Sequence, residues 1–183
     1  FKNKLVKPKI FKKCKLVKND YFVLTLHRPL NVDKKSNFKK ILDQISLNSG
    51  SKKIVYPAHP RTSENLHKMR LQKNIIVTNP MSYLEFLYLI KNSAAVITDS
   101  GGITEETTYL KIPCLTIREN TERPETVILG SNILIGNNFI KLKKYLSKKN
   151  KKKWKKSEVP KKWDGKTSKR IVKVISKLLQ NNV

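Results

Sequence analysis

The sequence predicts an α/β fold built on a parallel sheet, and three observations carry that prediction. Short apolar runs rich in β-branched and aromatic residues recur along the chain, while the stretches between them carry apolar residues at helical spacing. That alternation is what strands joined by right-handed crossover helices produce. The chain has 183 residues, enough to bury one such core and too few for two. The third observation is local: Thr98-Asp99-Ser100-Gly101-Gly102-Ile103-Thr104-Glu105-Glu106 joins an apolar run to a helix start through two glycines and a small hydroxyl.

Taken in order, the first strand is Tyr21 to Leu26, followed by a helix from Phe38 to Ile45 whose apolar residues return at helical spacing. A strand from Lys53 to Tyr56 precedes a short helix from Glu64 to Arg70, and Ile75 to Thr78 is the next strand. Ser82 to Lys91 is a helix, Ala94 to Thr98 a buried strand, and Ile103 to Leu110 the helix after the glycine turn. Cys114 to Ile117 reads as strand, Pro124 opens a short helical turn, and Asn132 to Ile135 is the last strand. From Lys141 to Lys162 the pattern is helical at first and then becomes a lysine run interrupted by Trp154 and Pro160. Residues 167 to 179 place Ile171, Val174, Ile175, Leu178 and Leu179 on one stripe of an amphipathic helix, with Thr167 or Ser168 as its N-cap. The chain thus divides into a basic lead-in segment over 1–18, an α/β domain over 19–147, and a Lys-rich linker with a terminal helix over 148–183.

In such a sheet, ligands bind beyond the C-terminal ends of the strands, and His27, His59, Ser100 and Arg118 all follow strand ends. At Ser100-Gly101-Gly102 the backbone N–H groups of a helix start and the positive end of its dipole meet, and glycine leaves no Cβ in a ligand's way. These features suit a phosphate. The bland alternative is an ordinary strand-to-helix turn capped by Ser100. Asp99 is expected to order that turn through backbone hydrogen bonds rather than to act as a base.

The formal charge is +27, from 40 Lys plus Arg against 13 Asp plus Glu. Base-edge and bidentate phosphate recognition favour Arg, yet the only arginines are Arg28, Arg61, Arg70, Arg118, Arg123 and Arg170. The lysines therefore read as solvated faces that attract polyanions loosely, which argues against a specific nucleic-acid partner. Cys14 and Cys114 form neither a disulfide framework nor a metal pattern, and no cofactor is implied. No apolar stretch approaches the roughly 20 residues of a membrane span, so a soluble, cytoplasmic protein is expected.

The flanking residues narrow the reading. Asn79-Pro80-Met81-Ser82-Tyr83-Leu84-Glu85-Phe86-Leu87-Tyr88-Leu89-Ile90 precedes the glycines, and Pro113-Cys114-Leu115-Thr116-Ile117-Arg118-Glu119-Asn120-Thr121-Glu122-Arg123-Pro124-Glu125-Thr126 follows them. With His27-Arg28-Pro29-Leu30-Asn31-Val32-Asp33, Tyr56-Pro57-Ala58-His59-Pro60-Arg61-Thr62 and Trp163-Asp164-Gly165-Lys166, the chain resembles the UDP-N-acetylglucosamine 2-epimerase family, and only its C-terminal half.

The resemblance implies a Rossmann-like parallel sheet forming one half of a glycosyltransferase-B type two-domain fold, with the active site in the cleft between halves. It implies interconversion of UDP-N-acetylglucosamine and UDP-N-acetylmannosamine, by elimination of UDP and its return through a glycal, in the service of surface polysaccharide synthesis. On that resemblance His27 is the catalytic candidate. Ser100, Gly101, Gly102 and Arg123 bind the diphosphate, Glu106 holds the ribose, Phe86 lines the uracil pocket, and Arg28 faces the same cleft. The plain alternatives are a core aromatic for Phe86 and a surface ion pair with Glu122 or Glu125 for Arg123. His59 and Arg61 fit a second cleft-lining loop, while His67 has no claim.

The acid and base carboxylates belong to the family's first domain. Accordingly this half is expected to be inactive without its N-terminal domain or a partner chain supplying it, and the complete enzyme to be a homo-oligomer. In proteins of this architecture the final helix commonly crosses back to the first domain, which would leave its apolar stripe uncovered here. A hydrolysing epimerase that releases N-acetylmannosamine and a catalytically dead nucleotide-binding remnant are the alternatives. Diacetamido uronic acid variants share the same nucleotide half.

Overall fold

The computed structural model describes residues 4–147 and 154–180. Its elements are α1 (Ile10–Lys13), β1 (Tyr21–Thr25), α2 (Pro29–Val32), α3 (Lys35–Asn48), β2 (Lys53–Pro57), α4 (Pro60–His67), β3 (Ile75–Thr78) and α5 (Tyr83–Lys91). They continue with β4 (Ala95–Thr98), α6 (Gly101–Leu110), β5 (Cys114–Thr116), α7 (Pro124–Ile128), β6 (Asn132–Leu134), α8 (Phe139–Leu146) and α9 (Thr167–Gln180). The six strands form one sheet in the order β3-β2-β1-β4-β5-β6, and every pairing is parallel. The order reverses between β1 and β4, where the chain leaves the two strands in opposite directions and a crevice opens above their ends.

Alternation along β1 explains the two cores. Phe22, Leu24 and Leu26 enter a cluster with Phe38, Ile41, Leu42 and Ile45 of α3 and Leu142 and Leu146 of α8. Tyr21 and Val23 point the other way, into a cluster with Phe11, Leu89, Ile90 and Val96. The buried Tyr21 and Tyr56 hydroxyls donate to the carbonyls of Leu89 and Leu26, at 2.6 and 2.8 Å, so neither leaves an orphan polar atom in the core.

The element ends differ from the sequence reading where side chains or prolines decide them. The helix expected over Glu64 to Arg70 starts earlier, because Pro60 occupies a first-turn position that needs no N–H, and the His59 side chain accepts from the Arg61 amide. The helix after the glycines begins at Gly101 rather than Ile103, so both glycines lie in its first turn. Two short helices, α1 and α2, carry too few residues to show periodicity and escaped the reading. Ser82 and Glu85 form a capping box at the start of α5. The expected N-cap at Thr167 or Ser168 is displaced: Lys166 supplies the carbonyl that accepts from the Arg170 amide, and Asp164 pairs with Arg170.

The lysine run at 148–153 lies outside the described residues. Beyond it the chain is no free linker, since the Trp154 indole donates to the Ser131 carbonyl at 2.9 Å and packs on the first core, and the Glu158 amide donates to Leu129. Helix α9 is different. None of its residues is buried, and Ile171, Val174, Ile175, Leu178 and Leu179 are all at least half exposed.

A helix of this length without tertiary burial is marginal. Amides over 171–179 are expected to exchange with deuterated solvent far faster than those of β4, measured by hydrogen exchange on a demonstrated monomer. Equal protection would show that the apolar face of α9 is covered.

Candidate functional site

The site is organised by Asp99, the residue that follows β4. Its side chain is fully buried and accepts the His27 amide through both oxygens at 3.1 Å, the Arg28 amide at 2.9 Å and the Asn31 side-chain amide at 3.0 Å. The Asn31 amide also donates to the Ile117 carbonyl at 3.2 Å, which ties the ends of β1, β4 and β5 to one carboxylate. Burial alone would raise the Asp99 pKa. The hydrogen bonds from His27, Asn31 and the Arg28 amide outweigh it, and the carboxyl titrates below its ordinary range. Asp99 therefore orders the loop after β1 rather than its own glycine turn, where the Ser100 amide donates instead to Thr98 Oγ1 at 3.0 Å.

His27 Nδ1 lies 3.1 Å from Asp99 Oδ1, which leaves Nε2 directed away from the carboxylate. Its ring lies beside that of His59, with centroids 5.5 Å apart and planes 31° from parallel. Both rings line a cavity of about 410 Å³ together with Met81, Tyr83, Phe86 and Ile103. Phe86 thus serves both readings, packing against the second core and lining the cavity of His27. Beneath the crevice the Thr25 and Thr98 hydroxyls lie 2.7 Å apart and bridge β1 to β4.

Ser100 is the N-cap of α6, but its side chain makes no capping hydrogen bond. The plain capped turn is thereby excluded, and the amides of the first turn have no intrahelical acceptor. Neither Gly101 nor Gly102 has positive φ, and a Cβ on either would meet nothing within 4 Å. Gly130 is the contrast, since a Cβ there would lie 2.4 Å from Thr108 Oγ1 and 2.6 Å from the Thr126 carbonyl. Packing dictates glycine at 130. Among the described residues nothing dictates it at 101 or 102, where the space above the helix is open.

The remaining candidates fall around this centre. Glu106 is hydrogen-bonded to Tyr83, and the two line a neighbouring cavity of about 520 Å³ with Trp163, Asp164 and Gly165. Burial raises the Glu106 carboxyl above its usual range, with the Tyr83 hydrogen bond opposing and Glu105 adding repulsion. Arg123, at the N-cap of α7, makes an ion pair as its plain alternative supposed, but with neither Glu122 nor Glu125. Its Nε contacts Glu105 Oε1 of α6 at 2.7 Å.

Arg28 does not share the cavity of His27. It lines a separate one of about 330 Å³ beside Arg118 and Asn120. Its Nη2 lies 3.6 Å from Glu122, to which Arg118 also donates at 3.1 Å. Arg61 is held by Asp33 through two hydrogen bonds, at 3.1 and 2.8 Å, and His67 is exposed on α4. Asn31, Tyr83 and Glu105 were missed from the sequence. Asn31 could have been suspected from its place four residues after His27, whereas the partners of Tyr83 and Glu105 are set by the fold. Among the described residues no group of three or more His, Cys, Asp or Glu is placed to hold a metal ion, and no helix is long and apolar enough to cross a membrane.

Strand order, switch point and glycine turn define a Rossmann-like α/β domain of the glycosyltransferase-B type. A family profile for UDP-N-acetylglucosamine 2-epimerase matches residues 1–176, and the chain belongs to that family. It is 43% identical over 173 residues to the UDP-N-acetylglucosamine 2-epimerase of Methanocaldococcus jannaschii, an alignment covering 88% of this chain and 46% of that protein. The crystal structure of the Methanocaldococcus jannaschii UDP-GlcNAc 2-epimerase in complex with UDP-GlcNAc and UDP superposes with a TM-score of 0.73 at 41% identity, over 93% of this chain and 49% of that one. A UDP-2,3-diacetamido-2,3-dideoxy-D-glucuronate 2-epimerase of Pseudomonas aeruginosa is 37% identical over 66% of this chain and 35% of its own. The chain therefore spans about half the length of the relatives it matches. An Escherichia coli heptosyltransferase shares the fold alone, at 18% identity and a TM-score of 0.51 over 74% of this chain and 44% of that one.

Replacing Asp99 by Ala strands two half-buried amides and the buried Asn31 side chain, and is expected to cost roughly 2–4 kcal/mol in denaturant unfolding. Because the folded pKa of Asp99 is lowered, its contribution is full above about pH 4 and is lost as the pH falls through the folded value. Asp99→Asn should remove that part of the acid dependence.

Proposed function

We propose that this chain is the nucleotide-binding half of a UDP-N-acetylglucosamine 2-epimerase, the part that receives UDP when it leaves the sugar. The observation that carries the reading is the open first turn of α6. Ser100 makes no capping bond, Gly101 and Gly102 face empty space, and the positive end of the helix dipole lies in the crevice of the sheet. A departing diphosphate would be stabilised there by backbone amides, with Arg123 adding a charge-assisted contact. Phe86 and Tyr83 form an apolar wall suited to a base, and Glu106 beside them accepts from ribose hydroxyls. The complex of the Methanocaldococcus jannaschii enzyme with UDP-GlcNAc and UDP supports the same ligand class.

In this reading His27 is the catalytic residue of the half. Asp99 holds Nδ1, so Nε2 is available to the diphosphate or to a proton in transit. The carboxylates around the crevice are otherwise engaged: Asp99 with the β1 loop, Glu105 with Arg123, Glu106 with Tyr83, and Glu122 with Arg118 and Arg28. That arrangement supports a division of labour in which removal of the C2 proton falls to another half, and the exposed stripe of α9 supports a face that such a half would cover. It suits a hydrolysing relative equally, since both chemistries release UDP.

Calorimetry should show UDP binding more tightly than UMP. Arg123→Ala should cost roughly 1.5–3 kcal/mol for UDP, the range for a hydrogen bond to a charged group, and little for UMP. Gly102→Ala should weaken UDP while leaving the unfolding midpoint unchanged or higher, because alanine favours a helix. Equal affinity for UDP and UMP would overturn the diphosphate site.

This chain alone should not exchange the C2 hydrogen of UDP-N-acetylglucosamine with deuterated solvent. Exchange that depends on His27 would place the proton chemistry in this half and overturn the division of labour.

A further inference from the structure

Glu105 of α6 forms an ion pair with Arg123 and so joins the helix of the glycine turn to the loop before α7. Glu105 lies four residues after Gly101 and three after Gly102, so it occupies the same face of α6 one turn along, about 5.4 Å down the axis. Its Oε1 lies 2.7 Å from Arg123 Nε, an ion pair that ties the guanidinium to α6 one turn after the glycines. Nη1 donates to the Glu122 carbonyl at 3.4 Å. A guanidinium has five donors, more than one carboxylate takes up, and its planar fork matches two oxygens of a phosphate. The backbone of Arg123 is fixed as well, since its amide donates to Thr121 Oγ1 and its carbonyl accepts from the Thr126 amide and hydroxyl.

We propose that Glu105 is a positioning residue whose ion pair holds the Arg123 guanidinium within reach of a diphosphate bound at Gly101 and Gly102. The proposal rests on the diphosphate reading of the α6 turn, and it runs against simple Coulomb attraction. A carboxylate beside an anion site repels the anion, so a Glu105 that acted only through its charge would weaken binding. A Glu105 that positions Arg123 strengthens it.

The test compares UDP with UMP on the protein and its variants by calorimetry. Glu105→Ala should reduce the preference for UDP over UMP by roughly tenfold, as expected for a misaligned charge-assisted contact. Glu105→Gln keeps an oxygen that can accept from Nε and should retain most of that preference. In an Arg123→Ala background Glu105→Ala should change nothing further, and retained UMP affinity in each variant shows that the fold is intact. If Glu105→Ala leaves the preference unchanged or raises it while Arg123→Ala abolishes it, the positioning role is overturned and the diphosphate site stands. If Arg123→Ala is also without effect, the diphosphate reading falls, and the role of Glu105 with it.

Discussion

The Asp99 carboxylate is the joint on which the crevice depends. At the switch point of a parallel sheet the loops after β1 and β4 diverge, and beyond the bond from the Asp99 amide to the Thr25 carbonyl the ladder no longer holds them together. One buried carboxylate does so, by accepting two amides and a side chain from the β1 loop and reaching β5 through Asn31. A buried charge is tolerable only when it is hydrogen-bonded, and this one is saturated. Asp99 Oδ1 also lies 3.1 Å from His27 Nδ1, so the structural joint and the proposed catalytic side chain are one assembly.

Arginine and lysine have separate duties in this chain. With 40 basic and 13 acidic residues, most cations have no carboxylate to meet. Arg28, Arg61, Arg118, Arg123 and Arg170 nonetheless each reach one. Three of those pairings pin the loop from Arg118 to Arg123, and one of them ties it to the helix of the glycine turn. The planar fork explains the choice, because it holds a carboxylate with part of its donors and keeps others for a ligand. Among the described residues the lysines lie mostly in solvent, consistent with charge that sets the surface potential rather than the site.

Most of the fold was legible because parallel strands are short, apolar and β-branched, and the helices between them are amphipathic. Tyr21, Ile54, Ile75, Val96, Leu115 and Ile133 each lie in a strand that the apolar runs mark out. What escaped was shorter than a period, as with α1 and α2, or was fixed by one capping group, as at Pro60 and Lys166. The terminal stripe of α9 could be read as apolar from the sequence, and its exposure was the expectation that the family resemblance added.

By itself the sequence determined the strand and helix alternation, the glycine turn at the end of β4, and the motifs that carry the family likeness, because each is encoded within a few neighbouring residues. Only the tertiary structure decided which side chains meet across the crevice. Asp99 reaches past its own turn to His27, Arg123 finds Glu105 instead of an adjacent glutamate, and Arg28 turns into a cavity other than that of His27. The physical reason is one of range. Backbone conformation and amphipathicity are local properties of the chain, while the partner of a charge depends on strand order and register, which bring residues far apart in sequence to the same rim.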